Sequence, residues 1–197
     1  VEALPYIRQH SGEIIVIKYG GHAMGDSKLS KSFSKDIGLI KEVGIHPIII
    51  HGGGPQIGER LKLKNIKSEF VDGLRITDKE TIKVVEEVLS KDINKEIVDS
   101  INASGAKAIG LSGNQNNLIN ANKLKVEVKD TDSNIEKLVD IGFVGRPSNV
   151  NIELIMSHVK KGEIPVIAPL GKDSENNYYN INADTAAGFI AGQIKAS

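Results

Sequence analysis

Pro47-Ile48-Ile49-Ile50-His51-Gly52-Gly53-Gly54-Pro55 sets a short apolar run directly against three glycines and a proline. Three consecutive isoleucines leave no polar face for solvent, so the run reads as a strand buried on both sides. The glycines end the strand, and Pro55 suits the first position of a helix, where its missing N–H is no loss. That places the Gly52–Gly54 amides at a helix N-terminus, as donors for an anion. Similar runs recur at Ile14-Ile15-Val16-Ile17, at Ala106 to Leu111 and at Pro165-Val166-Ile167-Ala168. Segments of helical period accompany them: Leu29 to Val43, Pro55 to Leu63, Asp78 to Ser104, Ile152 to Lys161 and Ala183 to Lys195. Strands and helices alternating in this way predict an α/β fold with a mainly parallel sheet.

The Asp78–Ser104 segment carries Ile82, Val85, Leu89, Ile93, Ile97 and Ile101 at helical spacing, with Thr77 and Glu80 as a capping box and Gly105 as a stop. At 1.5 Å per residue it would run about 40 Å, longer than short strands can cover, and a subunit contact through it is expected. From Leu118 to Val144 the pattern becomes polar and β-like, with Lys123 to Val128 alternating strictly. An antiparallel hairpin or lid attached to the parallel sheet is expected there.

The composition narrows the function. The 197 residues include 25 Lys+Arg against 25 Asp+Glu, so no basic face is implied and nucleic-acid binding is not expected. With no Cys, thiolate metal sites and Cys nucleophiles are excluded. His10, His22, His46, His51 and His158 lack metal-ligand spacing, so no metal site is expected and they are taken as structural or surface residues. No apolar run reaches the roughly 18 residues of a membrane span, and Val1–His10 lacks the features of a signal peptide, so the expectation is a soluble, cytoplasmic chain. Both ends look cut, since a helical pattern is still running at Ile194-Lys195-Ala196-Ser197.

Two glycine clusters, Lys18-Tyr19-Gly20-Gly21 and His51 to Pro55, follow two predicted strands and should face one crevice beyond the strand ends. Tight turns needing positive φ are the alternative explanation for the glycines. Neither a P-loop nor a dinucleotide fingerprint fits, because Gly25 is followed by Asp26-Ser27 and position 57 is Ile57. Lys18, at the end of an apolar strand, is suited to neutralising phosphoryl oxygens, or it is a strand-end lysine reaching water. Arg75 is suited to gripping a carboxylate with two donors, or to a structural ion pair. Along Tyr179 to Asp184, alternation puts Asn180, Asn182 and Asp184 on one side where strand passes into helix.

Together, Lys18-Tyr19-Gly20-Gly21, His51-Gly52-Gly53-Gly54-Pro55-Gln56-Ile57, Gly73-Leu74-Arg75-Ile76-Thr77, Gly110-Leu111-Ser112-Gly113, Gly142-Phe143-Val144-Gly145 and Asn180-Ile181-Asn182-Ala183-Asp184 occur in an order and spacing that resembles the N-acetylglutamate kinases of the amino acid kinase superfamily. The resemblance runs from about Ala3 to the last residue. It implies a three-layer αβα sandwich, with residues 1–197 forming the acetylglutamate-binding and dimerisation lobe and the ATP-binding lobe largely absent. It implies transfer of the γ-phosphate of MgATP to the γ-carboxylate of N-acetyl-L-glutamate, a step of arginine biosynthesis. Carried over by position, Lys18 and Asp184 would be catalytic, and Gly53, Gly54, Arg75 and Asn180 would bind the substrate. Gly20, Gly21 and Gly52 would offer amides to phosphate. A homodimer is implied, or a hexamer if Val1–His10 is the interlacing N-terminal helix of the arginine-inhibited branch. No second catalytic Lys and no adenine pocket is found in the sequence. The competing expectations are a non-catalytic lobe that binds an acylated amino acid, and a kinase of a related carboxylate such as an aminoadipate derivative.

Overall fold

The computed structural model describes residues 9–129 and 136–196. In chain order the elements are β1 (Ile14–Tyr19), α1 (Gly21–Met24), α2 (Ser27–Glu42), β2 (His46–His51), α3 (Gly54–Leu63), β3 (Phe70–Val71), β4 (Leu74–Arg75), α4 (Thr81–Glu87), a π-helical segment (Val88–Ile93), α5 (Asn94–Ala103), β5 (Ala108–Ser112), β6 (Ile119–Lys129), β7 (Glu136–Val150), α6 (Ile152–Lys160), β8 (Ile164–Ala168), β9 (Leu170–Lys172), β10 (Tyr178–Ile181) and α7 (Ala183–Ile194). The four apolar runs of the sequence are the four strands of a parallel sheet, in the order β1-β2-β8-β5.

Both faces of that sheet are covered, as the uninterrupted isoleucines require. Ile49 packs into one core with Ile37 of α2, Ile57 and Leu61 of α3, and Val85, Leu89, Ile97 and Ile101 of the long helical stretch. Its neighbours Ile48 and Ile50 point the other way, against Ile155 of α6 and Ala186 and Ile190 of α7. Ile48, Ile49 and Ile50 are each 0% exposed. Full burial of such a side chain contributes roughly 1.5–3 kcal/mol, so this one strand anchors both helical layers. The αβα sandwich expected from the sequence is the observed fold.

Three expectations are corrected. The stretch from Asp78 to Ser104 is not one regular α-helix: α4 and α5 are joined by the π-helical segment, where the Asn94 N–H reaches the Leu89 carbonyl. The cap is also different. Asp78 Oδ1 accepts the Thr81 amide at 2.7 Å and the Glu80 amide at 3.1 Å, while the Thr77 hydroxyl donates to the Arg75 carbonyl. Asp is as good a cap as Thr, and here Thr77 is drawn off into the strand region. The polar segment is an antiparallel hairpin, β6 with β7, but it does not extend the parallel sheet. With β9 and β10 it pairs into a separate closed ring, because β7 also pairs with β10, and β9 with both β10 and β6. The N-terminal extension expected over Val1–His10 lies almost wholly outside the described residues. Among the described residues no helix is long and apolar enough to cross a membrane.

Candidate functional site

Strand register brings the two glycine clusters together. Lys18 pairs with Ile50 and Tyr19 with His51, so the chain leaves β1 and β2 side by side. Beyond them lies a cavity of about 250 Å³ whose lining includes Lys18, Gly21, Gly52, Gly53, Gly54, Arg75, Asn180, Asn182 and Asp184. Eight of the nine residues singled out for the site and its phosphate contacts therefore meet in one cavity wall, as does Asn182; the ninth, Gly20, does not line it.

The glycines are not explained by left-handed turn geometry, since none of Gly20, Gly21, Gly52, Gly53 and Gly54 has a φ in the left-handed region. Close packing explains two. A Cβ on Gly53 would lie 2.6 Å from Ile93 Cδ1 and 2.7 Å from Leu89 Cδ2, both on the π-helical segment. One on Gly21 would lie 2.9 Å from Pro55 Cδ. Gly54 has nothing within 4 Å of the same position. Neither φ nor crowding requires glycine there, and a side chain would project into open space beside the cavity.

Free donors are the second observation. Among the described residues, nothing accepts the N–H of Gly20, Gly21, Gly53 or Gly54. Gly52 is a correction: it lines the cavity, but its N–H donates to the Tyr19 carbonyl at 2.8 Å and is not free for phosphate. Gly20, near Lys18 Nζ, keeps a free N–H but is not part of the cavity wall.

Lys18 Nζ lies 3.1 Å from Asp184 Oδ1, with the two side chains 36% and 69% exposed. An exposed pair of this kind adds little stability. Asp184 stands in the first turn of α7, which Asn182 caps by accepting the Thr185 amide at 3.0 Å. Asn180, at the end of β10, donates to Thr77 Oγ1 at 3.5 Å, and Thr77 in turn to the Arg75 carbonyl at 2.8 Å.

Arg75 is buried, with its guanidinium 4.5 Å from the centre of the Phe70 ring. Nη2 donates to the Gly54 carbonyl at 2.9 Å and Nη1 to the Ser68 hydroxyl. Burial pushes the guanidinium down from its ordinary value, yet an arginine stays charged in proteins. Two of its five N–H donors are thus spent on the chain itself, clamping the start of α3. Ser68 and Thr77 are site residues the sequence reading missed as such; the one signal for Thr77 was its place in Gly73-Leu74-Arg75-Ile76-Thr77. Among the described residues no three His, Asp or Glu side chains gather as a metal site would need.

Comparison with known proteins agrees with the fold. The Amino acid kinase family matches residues 13–197. The chain belongs to this family. Within it, the chain is 54% identical over 196 residues to a protein named acetylglutamate kinase from Rhodospirillum centenum, covering 100% of this chain and 64% of that protein. It is 50% identical over 197 residues to the acetylglutamate kinase of Erythrobacter litoralis, covering 100% and 66%. The chain therefore spans just under two thirds of the length of these curated relatives. Among solved structures it is similar to smu.665 from Streptococcus mutans, at TM-score 0.79 and 28% identity over 93% of this chain and 69% of that one. N-acetylglutamate synthase from Neisseria gonorrhoeae, solved with coenzyme A and N-acetyl-glutamate, matches at TM-score 0.79 and 22% identity over 99% and 42%, a likeness of amino acid kinase fold alone.

Proposed function

We propose that residues 1–197 form the acetylglutamate-binding and dimerisation lobe of an acetylglutamate kinase, which phosphorylates the γ-carboxylate of N-acetyl-L-glutamate with MgATP in arginine biosynthesis. The observation that carries the reading is one cavity wall holding the Lys18–Asp184 pair, the free amides of Gly21, Gly53 and Gly54, and the Arg75 guanidinium. Relatives at 50–54% identity that bear this name support the choice of acceptor.

On this reading a carboxylate oxygen of the substrate attacks the γ-phosphorus. The bond from that phosphorus to its bridging oxygen breaks, ADP leaves with the electron pair, and an acyl phosphate forms. An ionised carboxylate is already a nucleophile, so no general base is needed and the chain has only to align charges. Gly53 and Gly54 amides, Asn180 and the remaining Arg75 donors hold the acetylglutamate. Lys18 neutralises the transferring phosphoryl oxygens, and Asp184 orients Lys18. The amides of Gly20 and Gly21 are chemically suited to phosphate oxygens. The nucleotide itself relies on the further third of the length that the relatives possess, and the long helix from α4 to α5 supplies the contact with a second copy.

The test is an assay of the protein with acetylglutamate and MgATP in which hydroxylamine traps the acyl phosphate as a hydroxamate. Hydroxamate and ADP formed in equal amounts, and only with acetylglutamate present, are expected. ADP release that ignores acetylglutamate would overturn the reading. Residues 1–197 alone should bind acetylglutamate in calorimetry and release no ADP.

A further inference from the structure

His51 is a buried imidazole that the mechanism above leaves unused. It is 0% exposed, at the end of β2, directly before the glycine cluster. Its Nδ1 lies 2.9 Å from the Gly52 carbonyl oxygen and its Nε2 lies 3.2 Å from Asn94 Nδ2. The same Asn94 nitrogen donates to the Val166 carbonyl at 2.9 Å. A carbonyl only accepts, so the Asn94 amide group is oriented with its nitrogen toward both partners. His51 Nε2 is then an acceptor, and the ring proton sits on Nδ1, where it is donated to Gly52.

Space for this arrangement is made two strands away. A Cβ on Gly110 would lie 2.2 Å from Asn94 Oδ1, so glycine at that point of β5 lets Asn94 lie against the sheet. Gly52 itself is held at both ends, its N–H by Tyr19 and its carbonyl by His51. In a trans peptide the C=O of one residue and the N–H of the next point in opposite directions. Turning the Gly52 carbonyl inward, onto the ring, turns the Gly53 N–H outward. Gly53 lines the cavity, and nothing among the described residues accepts that N–H.

We propose that His51 is a positioning residue: held by Asn94, it fixes the Gly52–Gly53 peptide so that the Gly53 N–H faces an anionic oxygen of the bound substrate. This rests on the acetylglutamate reading for the identity of the anion, and on the fold alone for the orientation of the peptide.

Two substitutions separate the two ring nitrogens. Asn carries its amide nitrogen on Cγ, as Nδ1 is, so His51→Asn keeps a donor to Gly52. Gln carries it one atom further out, near Nε2, so His51→Gln loses that donor. In the unliganded protein labelled with [15N]glycine, the Gly53 amide resonance should hold its position in His51→Asn and move in His51→Gln. Calorimetry with N-acetyl-L-glutamate should show about tenfold weaker binding for His51→Gln, the loss of one well-placed hydrogen bond, with most of the affinity recovered in His51→Asn. The MgATP KM should stay constant throughout. An unmoved Gly53 resonance with equal affinity in all three proteins would overturn the role, as would equal losses in both variants. If the wild type binds no acetylglutamate while the Gly53 resonance still follows residue 51, the acetylglutamate reading fails and the positioning role stands. One measurement needs no variant: 15N shifts of the wild-type imidazole should show a protonated Nδ1, and a protonated Nε2 with bare Nδ1 would overturn the proposal even if His51→Gln does not fold.

Discussion

Lys18 and Asp184, 166 positions apart by their numbers, meet at 3.1 Å across the cavity and tie the end of β1 to the first turn of α7. The pair lies where solvent screens it, so its removal should be read in catalysis and not in folding. In the full-length protein Lys18→Ala is expected to lower kcat at least a hundredfold with little change in acetylglutamate KM, since on the proposed reading the charge acts on the transferring phosphoryl group. Steady-state kinetics beside a melting curve checks both halves. An unchanged kcat would remove Lys18 from the mechanism.

Arg75→Lys should weaken acetylglutamate binding by about 1.5–3 kcal/mol, because an ammonium cannot reproduce several fixed donors. It should also lower the melting temperature, since the bonds to Gly54 and Ser68 hold the start of α3. Titration calorimetry with thermal unfolding tests this. Lower stability with unchanged affinity would make Arg75 a clamp only.

Adjacent glycines should behave oppositely. Gly53→Ala drives a methyl into Leu89 and Ile93 and should destabilise by about 1–3 kcal/mol. Gly54→Ala meets nothing and replaces glycine at a helical position, so stability should hold or rise by about 0.5 kcal/mol while acetylglutamate affinity falls. Denaturant melts and calorimetry on the two variants decide it, and equal affinity in Gly54→Ala and wild type would mean that the open space at Gly54 is not used by substrate.

Burial drops the His51 imidazole to about 4 from its ordinary 6.5, its bond to Gly52 pulling weakly the other way. Between those values the unfolded chain takes up a proton that the folded one refuses, so stability is full above pH 6.5 and falls as pH drops toward 4. The effect is on the order of 3 kcal/mol. Glu163, drawn down to about 2 by the His158 hydrogen bond first and by Lys107 second, adds a further loss below its ordinary 4.5. That second loss is common to wild type and His51→Asn. The difference between their stability–pH curves should therefore isolate His51, and parallel curves from pH 7 to 4 would contradict its buried, neutral state.

Strand and helix were legible wherever one force decided the pattern. Ile48-Ile49-Ile50 had to be buried on two sides, and the sheet buries them so. Asn180, Asn182 and Asp184 had to emerge together, and they line one wall. What stayed hidden depends on contacts distant in sequence. The polar hairpin closes into a ring because of β9 and β10, which begin 20 and 28 residues after it ends at Val150 and which no local alternation records. The engagement of the Gly52 amide by Tyr19 follows from the pairing of β1 with β2. Two of the five donors of Arg75 are taken by Ser68 and Gly54, neighbours that only the folded chain provides.

The π-helical segment between α4 and α5 also fixes how this helix tolerates insertion and deletion. An α-helix advances about 100° per residue, so a helix that must present Leu89 and Ile93 to Gly53 and then Asn94 to His51 needs a particular angular phase at each. The wide turn supplies it, acting as one residue's worth of slack in the winding. Loss of a single residue within Val88–Ile93 would let the helix run on with regular bonding. Asn94 and the residues after it would keep their angular phase, because the wide turn gives up the residue it had absorbed, and α5 would still present Asn94 to His51 and to the notch at Gly110. A one-residue deletion inside this segment is therefore absorbed where it occurs, whereas the same deletion in α5, past the slack, would turn every later residue of the helix by about 100°.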